Sequence, residues 1–368
     1  MKFRCDKNVI LKEISIAQDI VSSRNALSIL SNVLLEADNN SLTIKATDLK
    51  VGFETVIPVD LEEAGSTTIY CDKFLGIIKS LPNGTITFEQ VNNEKMVIKT
   101  DDENISFQLN TIDADKFPEL LAVDENSYFE LPQKMFMEMI SHTIFSISDD
   151  ETRYFMNGVY MEREDNKLVM VGTDGRRLSY IGRDFDGSLP EFPGIIVPPK
   201  ILQLIKKLAS GEGNIQIAVI DKSIFVRFDN QKISSSLIDG QFPNYRKVIP
   251  ENQDHRVVIS KADLSSALKR VSILAEHKSK KIFLTVEANQ IVLKSEESDV
   301  GTAREKVACN YEGEETTFAL NYTYLIEPLN VIDEDNIVFF FTEKNRAVTL
   351  QSDPEKDYLH VVMPMQMD

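Results

Sequence analysis

The sequence predicts an α+β protein made of three similar domains, each with two helices on antiparallel sheets. Two observations support this prediction. The same order of turns, strands and helices recurs along the chain, and short strands with alternating apolar residues surround each helical segment. The 368 residues suffice for two or three domains of ordinary size, and a hydrophobic content of 42% is normal for a chain with packed cores.

The repeat is clearest between the first and middle thirds of the chain. Three segments recur in the same order: residues 39–48 at 165–174, 72–79 at 199–206 and 117–120 at 242–245, with offsets of 126, 127 and 125 residues. A fainter third copy starts near Ile259 and continues through Asn289. We therefore predict domains at residues 1–126, 127–253 and 254–368.

Each copy is predicted to be doubled internally, with a short strand, a helix and three or four strands occurring twice. In the middle copy the second helix begins after Pro198, because proline favours the first helical turn, and turn pairs such as Asp174-Gly175 separate the strands. The predicted helices are residues 7–20, 72–80, 133–141, 199–208, 261–271 and 321–330. The predicted strands of the middle copy are residues 157–163, 166–172, 176–182, 214–220, 223–228 and 231–238.

Positive charge is concentrated in the predicted helices. The chain has a net charge of -18, and such an acidic protein usually repels nucleic acid. The six helical segments contain eleven basic and six acidic residues, a net +5, so the remaining residues carry -23. If the helices line one surface, that surface can face phosphate groups. Lysine is also common on any solvated helix face, so an ordinary surface remains the alternative.

The sequence indicates a cytoplasmic protein that is not an enzyme. Three widely spaced cysteines are typical of reduced thiols, and no signal peptide or membrane helix is predicted. We find no phosphate-binding loop, nucleophile elbow or zinc-ligand spacing, so no catalytic residue, cofactor or metal is expected. Acidic runs such as Asp149-Asp150-Glu151 leave a metal-dependent hydrolase as an alternative, although nothing in the sequence organises these acids.

Domain size predicts how many domains a ring around DNA would need. A domain of about 122 residues is roughly 35 Å across, so three in a triangle leave a hole of about 5 Å and six leave about 35 Å. Duplex DNA is roughly 20 Å wide. One chain is therefore too small to encircle DNA, whereas a head-to-tail pair of chains is large enough.

Several segments together resemble one known family. They are Met1-Lys2-Phe3, Arg24, and residues 29–35, 153–158, 173–178, 239–246 and 361–365. On these residues the whole chain resembles the β subunit of bacterial DNA polymerase III, the β sliding clamp. The resemblance implies a DNA clamp fold and a homodimeric ring that encircles duplex DNA without sequence preference. It also implies a processivity factor that tethers the polymerase III alpha subunit, the clamp loader delta subunit and other proteins with clamp-binding peptide motifs, without contacting a membrane.

The same resemblance implies three groups of site residues. A hydrophobic peptide pocket between the second and third domains would be lined by Met156, Thr173, Gly175, Arg176, Arg177, Leu178, Pro243, Lys247, Val248, Asn321, Tyr324, Val362, Met363, Pro364 and Met365. Residues facing DNA would be Arg24, Lys73, Tyr154, Phe155, Lys200, Lys206 and Lys207. The dimer interface would join Phe107 and Leu109 of one chain to Ile273 and Leu274 of the other, and these four could alternatively be ordinary core residues.

Three departures from the family leave the preferred peptide motif open. The family often has His at the position of Arg176 and Arg at that of Lys247, and it ends in Leu where this chain has Met367-Asp368. A protein-interaction scaffold of the same fold that does not bind DNA is the remaining alternative.

Overall fold

The computed structural model describes residues 1–21, 29–92, 94–185 and 189–367. Within these ranges the chain forms six α-helices, each within two residues of its predicted bounds at both ends. They are α1 (Lys7–Ile20), α2 (Cys71–Ser80), α3 (Gln133–Thr143), α4 (Pro199–Leu208), α5 (Lys261–Val271) and α6 (Tyr322–Leu329). None of the helices in the described ranges is long and apolar enough to span a membrane.

The described residues also form twenty-five strands, and the six predicted in the middle copy are present within two residues of their predicted bounds. In chain order they are β1 (Lys2–Asp6), β2 (Asn32–Asp38), β3 (Ser41–Thr47), β4 (Val51–Pro58), β5 (Asp60–Glu63), β6 (Gly65–Tyr70), β7 (Thr85–Val91), β8 (Lys95–Thr100), β9 (Ser106–Ile112), β10 (Phe129–Pro132), β11 (Val159–Glu164), β12 (Lys167–Thr173), β13 (Arg177–Asp184), β14 (Ile195–Val197), β15 (Asn214–Ile220), β16 (Ser223–Phe228), β17 (Gln231–Ser236), β18 (His255–Ser260), β19 (Lys281–Glu287), β20 (Gln290–Ser295), β21 (Arg304–Asn310), β22 (Thr316–Asn321), β23 (Asn336–Phe341), β24 (Val348–Asp353) and β25 (Tyr358–Val362).

The order of these elements repeats six times. A strand, a helix and three further strands occur in succession starting at β1, β6, β10, β14, β18 and β22, with β5 as the one addition in the described ranges. Two such units correspond to one predicted domain. The predicted threefold repeat with internal doubling is therefore confirmed at the level of element order.

The chain divides into two compact units, each with one antiparallel sheet. The first unit (residues 1–132 and 212–237) has the strand order β10-β15-β16-β17-β4-β3-β2-β6-β9-β8-β7-β1-β5. The second unit (residues 133–211 and 238–368) has the order β14-β11-β12-β13-β25-β24-β23-β18-β21-β20-β19-β22. In each sheet a strand from one predicted domain pairs with a strand from the next: β17 with β4, and β25 with β13.

Each helix buries an apolar stripe. In α1, Ile10, Ile14, Ala17 and Ile20 are fully buried at spacings of three and four residues, which places them on one face. Helices α1 and α2, α3 and α4, and α5 and α6 pack in pairs. Side chains cap the helix starts where the sequence provides them, as when Asp6 accepts a hydrogen bond from the backbone N–H of Asn8 at 2.8 Å.

The first residue of α1, α3 and α5 fixes the chain just beyond the end of the paired helix. The Lys7 ammonium donates to the carbonyl of Leu81, the Gln133 side-chain oxygen accepts from the N–H of Gly211 at 3.1 Å, and the Lys261 ammonium donates to the carbonyl of Ile332 at 2.7 Å. Backbone groups near helix ends lack partners within the helix, so the two lysines satisfy carbonyl groups and Gln133 satisfies an N–H group there. Lys7 is 8% exposed. The prediction that the helix lysines form an exposed basic layer is therefore wrong for Lys7. It holds only in part for Lys261, because both ammonium groups bind backbone carbonyls of the same unit.

Candidate functional site

The turn between β12 and β13 has the backbone geometry that its sequence predicts. The Asp174 carboxylate accepts hydrogen bonds from the N–H groups of Arg176 (2.8 Å) and Arg177 (3.1 Å), and the Thr173 hydroxyl donates to the carbonyl of Arg177 at 2.6 Å. Gly175 has a φ of 85°, and a Cβ there would lie 3.1 Å from a guanidinium nitrogen of Arg153. Glycine suits this position because it adopts positive φ without strain. The predicted Asp-Gly hairpin turn is confirmed.

A cavity of about 90 Å³ lies beside this turn. All fifteen predicted pocket residues are described, and nine of them line the cavity together with Tyr245 and Val361, which sequence analysis missed. The lining residues are Met156, Thr173, Gly175, Arg176, Arg177, Leu178, Pro243, Tyr245, Val248, Val361 and Met363.

The cavity has a buried floor and an exposed rim. Leu178, Tyr245 and Val361 are buried and belong to one apolar cluster of the second unit. Val248 and Met363 are 45% and 40% exposed. Methionine adapts its shape to different ligands because its side chain is unbranched and flexible. An apolar segment of a partner can therefore contact the rim and insert between these side chains.

Strand alternation decides which valine of β25 lines the cavity. Successive strand residues point to opposite faces, so Val361 and Met363 share one face and Val362 lies on the other. The chain after β25 is held by backbone hydrogen bonds from Met363 to Arg176 (2.9 Å) and from Met365 to Ala319 (2.8 Å). The segment is therefore ordered against the sheet, and fraying does not describe it.

The other predicted pocket residues lie around the cavity and not on its lining. Asn321 caps α6 by accepting from the N–H of Thr323 at 2.9 Å. The Tyr324 ring centroid lies 4.4 Å from the guanidinium carbon of Arg177, and burial raises the pKa of the Tyr324 phenol. Lys247 is exposed in a 3-10 turn, whereas Pro364 is half-buried next to Met365, which bridges to Ala319.

Arg177 is a buried cation with several anionic and carbonyl partners. It is 9% exposed, and its Nε donates to Asp174 at 3.1 Å. One terminal nitrogen contacts the carboxylate of Glu327 on α6, and the other donates to the carbonyl of Phe145 at 2.5 Å. A buried charge is stable only when its donors are paired, and these contacts provide that pairing.

A buried polar chain continues from Arg177 into the core. His360 Nε2 donates to the carbonyl of Tyr324 at 3.0 Å, so its Nδ1 accepts from the Ser179 hydroxyl at 2.6 Å. Ser179 in turn lies 2.7 Å from the hydroxyl of Ser146. Burial, with the nearby charge of Arg177, lowers the pKa of His360 to about 3. The imidazole is therefore neutral at physiological pH.

Glu162 on β11 anchors the segment that forms one cavity wall. Its carboxylate accepts from the Tyr245 hydroxyl (2.6 Å), a guanidinium nitrogen of Arg246 (2.6 Å) and the Tyr160 hydroxyl (3.1 Å). Burial raises the pKa of the Tyr245 phenol, and raises that of Tyr160 to about 12. Both phenols therefore remain donors, which fixes the chain between Pro243 and Val248.

The predicted DNA-facing residues lie in both units. Lys73 is exposed on α2 of the first unit, and Lys200, Lys206 and Lys207 lie on α4 of the second. In the second unit, Tyr154 is exposed and its ring centroid lies 5.8 Å from that of Phe155. Arg24 lies outside the described residues.

The predicted interface residues lie on a strand and in a turn. Phe107 and Leu109 are half-buried on one face of β9. Ile273 is 77% exposed in the 3-10 turn after α5, where it lines a shallow depression with Leu274 and Val300. The alternative that all four are ordinary core residues is therefore wrong for Ile273.

Three family signatures match successive parts of the chain. They describe the N-terminal, central and C-terminal domains of the DNA polymerase III beta subunit, and they match residues 1–121, 130–244 and 246–366. A relative from Treponema pallidum (strain Nichols), named Beta sliding clamp, is 40% identical over 372 residues and is covered completely, as is this chain. The Beta sliding clamp of Escherichia coli (strain K12) is 30% identical over 369 residues with the same complete coverage.

Solved structures agree with these matches. The crystal structure of the DNA polymerase III subunit beta from Pseudomonas aeruginosa has a TM-score of 0.94 at 28% identity, and 100% of both chains is covered. A structure of the sliding clamp from the same organism is bound to griselimycin, with the same TM-score, identity and coverage. That of Borrelia burgdorferi is in complex with a natural product, with a TM-score of 0.93, 30% identity and 100% coverage of both chains.

Fold, cavity and matches together define the class of protein, a DNA sliding clamp. The chain belongs to the family of DNA polymerase III beta subunits. It acts in DNA replication as a non-catalytic processivity subunit of that polymerase.

Proposed function

We propose that two copies of the chain join head to tail into a ring that encircles duplex DNA. In this proposal the ring tethers the polymerase III alpha subunit, the clamp loader delta subunit and other partners by capturing short hydrophobic peptides in the cavity beside the 173–177 turn. The observation that carries the ring is the pattern of strand pairing between successive repeats.

Each internal junction uses the same kind of strand pair. The third strand after α3 or α1 (β13 or β4) pairs antiparallel with the third strand after the second helix of the next domain (β25 or β17). Both ladders contain five residue pairs. Two further strands are also the third strand after a helix: β9 after α2, in the first predicted domain, and β21 after α5, in the last. Within the described residues, neither pairs with a strand of another predicted domain.

These two strands have matching open edges. Residues 106–110 of β9 pair only with β8, and residues 304–308 of β21 pair only with β20, among the described residues. Unpaired strand edges are templates for pairing with another chain. Pairing β9 of one copy with β21 of a second would repeat the internal junction twice and close a ring. Phe107 and Leu109 would then meet Ile273 and Leu274.

The helices supply the basic surface in this proposal. After correction for Lys7 and Lys261, the exposed cations still include Lys12, Lys73 and Lys206. Encirclement needs only weak, sequence-independent contacts with phosphates, so a modest layer of lysines suffices. We further propose domain boundaries near residues 126 and 253 and a cytoplasmic location. The matched signatures support the first boundary, which lies between residues 121 and 130, whereas the second and third signatures meet at residues 244–246.

The peptide site rests on the shape of the cavity and on its relatives. An apolar floor with a flexible methionine rim suits short hydrophobic segments of several partners. A related clamp is bound to griselimycin, which supports the view that members of this family bind ligands. Arg176 and Lys247 would contact the polar ends of such a segment.

Retention on circular and linear DNA tests the ring. The protein is loaded onto nicked circular DNA with the clamp loader of the same organism, and half of the sample is then linearised. We expect the protein to stay on circles and to leave linear DNA, because encirclement is lost at free ends. Equal loss from both forms, or equal salt-dependent binding to both, would overturn the proposal.

Matched variants separate the interface from the basic surface. Ile273→Asp is expected to convert dimers into monomers and to abolish retention on circles, whereas Leu121→Asp, also at an exposed apolar position, is not. Charge reversal of Lys206 and Lys207 should shorten the residence time on circles, while Lys344→Glu in an exposed loop should not. If reversal on α4 has no effect on retention, the α4 lysines do not contact DNA and the proposed basic surface is overturned. If the unmodified protein is not retained on circles either, a scaffold that does not bind DNA replaces the proposed function.

A further inference from the structure

The cation in the wall of the cavity has Asp174 as one counter-charge, and its remaining donors need a second. Arg177 lines the cavity and is buried. Asp174 is the nearest carboxylate of the same turn, but one of its oxygens already accepts two backbone N–H groups, so a single oxygen is left for the Arg177 Nε. The remaining donors of Arg177 must therefore find partners on other elements.

Glu327 on α6 provides that counter-charge from behind the cavity wall. Its carboxylate contacts a terminal nitrogen of Arg177, and its side chain is 31% exposed. It does not belong to the cavity lining. The contact holds the guanidinium over the Tyr324 ring, with 4.4 Å from the guanidinium carbon to the ring centroid. Cation–aromatic packing of this kind adds a further favourable contact to the guanidinium in this position.

The carboxylate next to the neighbouring cation is already in an ion pair. Arg153 pairs with Asp150 at 3.0 Å and also donates to the carbonyl of Asp174 at 3.0 Å. Without Glu327, the terminal nitrogens of Arg177 would have to share the Asp174 carboxylate with the two backbone N–H groups that it already accepts from. Otherwise the guanidinium would turn toward solvent through the cavity. Either movement changes the turn, and a cavity of about 90 Å³ is small enough for a displaced guanidinium to fill it.

We propose that Glu327 is a positioning residue of the peptide site, which acts through Arg177 to keep the 173–177 turn in shape and the cavity open. The inference rests on the proposed peptide-binding function. It assigns a role to a residue on α6 that does not itself line the cavity and whose contact with Arg177 spans 150 positions of the chain.

Peptide affinity and thermal stability together test this role. The probe is a fluorescent synthetic peptide with the clamp-binding motif of the alpha subunit from the same organism. Glu327→Gln removes the charge and keeps the shape, and we expect the peptide to bind about tenfold more weakly. Glu334→Gln is the matched control: Glu334 is also an ion-paired acid near the end of α6, but its partner Lys356 lies away from the cavity lining. It should lower the melting temperature similarly and leave affinity unchanged.

Two further variants separate positioning from general damage. Glu327→Asp keeps the charge with a shorter reach, so its affinity should lie between that of the unmodified protein and that of Glu327→Gln, and it serves if the latter does not fold. In the double variant with Arg177→Gln, loss of Glu327 should add little, since its effect passes through Arg177.

The outcomes distinguish this inference from the function on which it rests. If the unmodified protein does not bind the peptide, the proposed peptide site fails and the inference with it. If the unmodified protein binds but Glu327→Gln and Glu334→Gln are equal in affinity, only the role of Glu327 is overturned. Full additivity in the double variant would likewise show that Glu327 does not act through Arg177.

Discussion

The β4–β17 and β13–β25 junctions are built on the same plan, yet only the second one has the small apolar cavity. The turn before β4 shares its side-chain hydrogen bonds to the backbone with the turn before β13. Asp48 accepts hydrogen bonds from the N–H groups of Lys50 (2.9 Å) and Val51 (2.7 Å). Asp174, at the matching position of the next predicted domain, accepts from the N–H groups two and three residues after it in the same way. The Thr47 hydroxyl donates to the carbonyl of Val51 at 2.9 Å, as that of Thr173 does to Arg177. The difference therefore lies in side chains and not in the backbone of the turn.

Cross-strand partners make the first difference. At the β13–β25 junction Leu178 is paired with Val361, and both are buried floor residues. At the β4–β17 junction the corresponding pair is Gly52 and Ser234, and the space above Gly52 is taken by Leu120. The groove there is about 510 Å³ and contains the charged row Lys45, Glu54 and Lys232, whose last two side chains form an ion pair of 2.9 Å.

The segments that cover the two junctions make the second difference. Residues 242–248 are held by Glu162 through Tyr245 and Arg246. In the first repeat Glu36 occupies the position of Glu162, but it pairs with Lys45 at 2.7 Å, and its covering segment has Leu120 and Leu121 where the other has Tyr245 and Arg246. A buried anchor fixes a wall, whereas an unanchored segment leaves an open groove. The two junctions therefore share one backbone arrangement, and a few side chains make a pocket at only one of them.

The largest expected effect comes from removing the floor. Leu178→Ala should lower the free energy of unfolding by about 2–5 kcal/mol, since a fully buried leucine loses its contacts and leaves a void. Gly52→Ala, at the matching position, should cost only about 1 kcal/mol, because the new methyl group meets the Ser234 hydroxyl, which can rotate, and a methyl group of Leu120, which must shift slightly. Urea denaturation of both variants measures this. Equal losses would mean that the two floors do not differ in packing.

The second prediction concerns pH, because only one junction contains a buried histidine. The pair Ser179–His360 corresponds to Phe53–Ile233 in the first unit. Burial lowers the pKa of His360 from 6.5 to about 3, so the unfolded chain binds this proton more readily than the folded one. The stabilising contribution of the neutral imidazole is complete above pH 6.5 and is lost as the pH falls toward 3, at about 1.4 kcal/mol per pH unit.

Urea midpoints measured from pH 7 to pH 4 test this prediction. His360→Asn should make stability less dependent on pH over that range, even if it lowers stability at pH 7. Part of the slope should remain in the variant, because burial also lowers the pKa of His142. An unchanged slope would show that His360 does not take up a proton on unfolding.

A smaller difference is expected from the two equivalent glutamates. Glu162→Gln should cost about 1–3 kcal/mol, since it weakens charge-assisted hydrogen bonds from Tyr245 and Arg246 at a largely buried site. Glu36→Gln should cost about 0–1 kcal/mol, as expected for an exposed ion pair. Thermal melts and peptide titration measure both properties. Weaker peptide binding in Glu36→Gln but not in Glu162→Gln would contradict the anchoring role.

The contrast between the junctions also marks what the sequence could predict. The six helices, six strands of the middle copy, the threefold repeat and the 173–177 turn follow from patterns such as apolar periodicity and the Asp174-Gly175 pair, and these were predicted. Alternation along β25 would have selected Val361 over Val362 if the strand had been placed in register. The resemblance to a known family, and not periodicity, brought most of the cavity residues together.

Long-range contacts account for what was missed. Glu162 lies 83 positions before Tyr245, and Glu327 lies 150 after Arg177, so no local pattern links either pair. The internal use of Lys7 and Lys261 was missed for the same reason, because a lysine at a helix start looks solvated until the paired helix is placed beside it. Charge counting therefore overstated the basic layer.

The smallest expected effect tests the tips of the two turns. Leu49 has a φ of 73° and is 65% exposed, whereas Gly175 has the same kind of conformation without a side chain. A leucine in this region is strained by about 1–2 kcal/mol, so Leu49→Gly should stabilise the protein by up to about 1 kcal/mol after the greater freedom of glycine in the unfolded chain is subtracted. Gly175→Ala should destabilise it by about 1–2 kcal/mol. Both changes are measured by urea denaturation. Destabilisation by Leu49→Gly would mean that the exposed leucine makes contacts that outweigh its strain, and that the two tips differ in more than conformation.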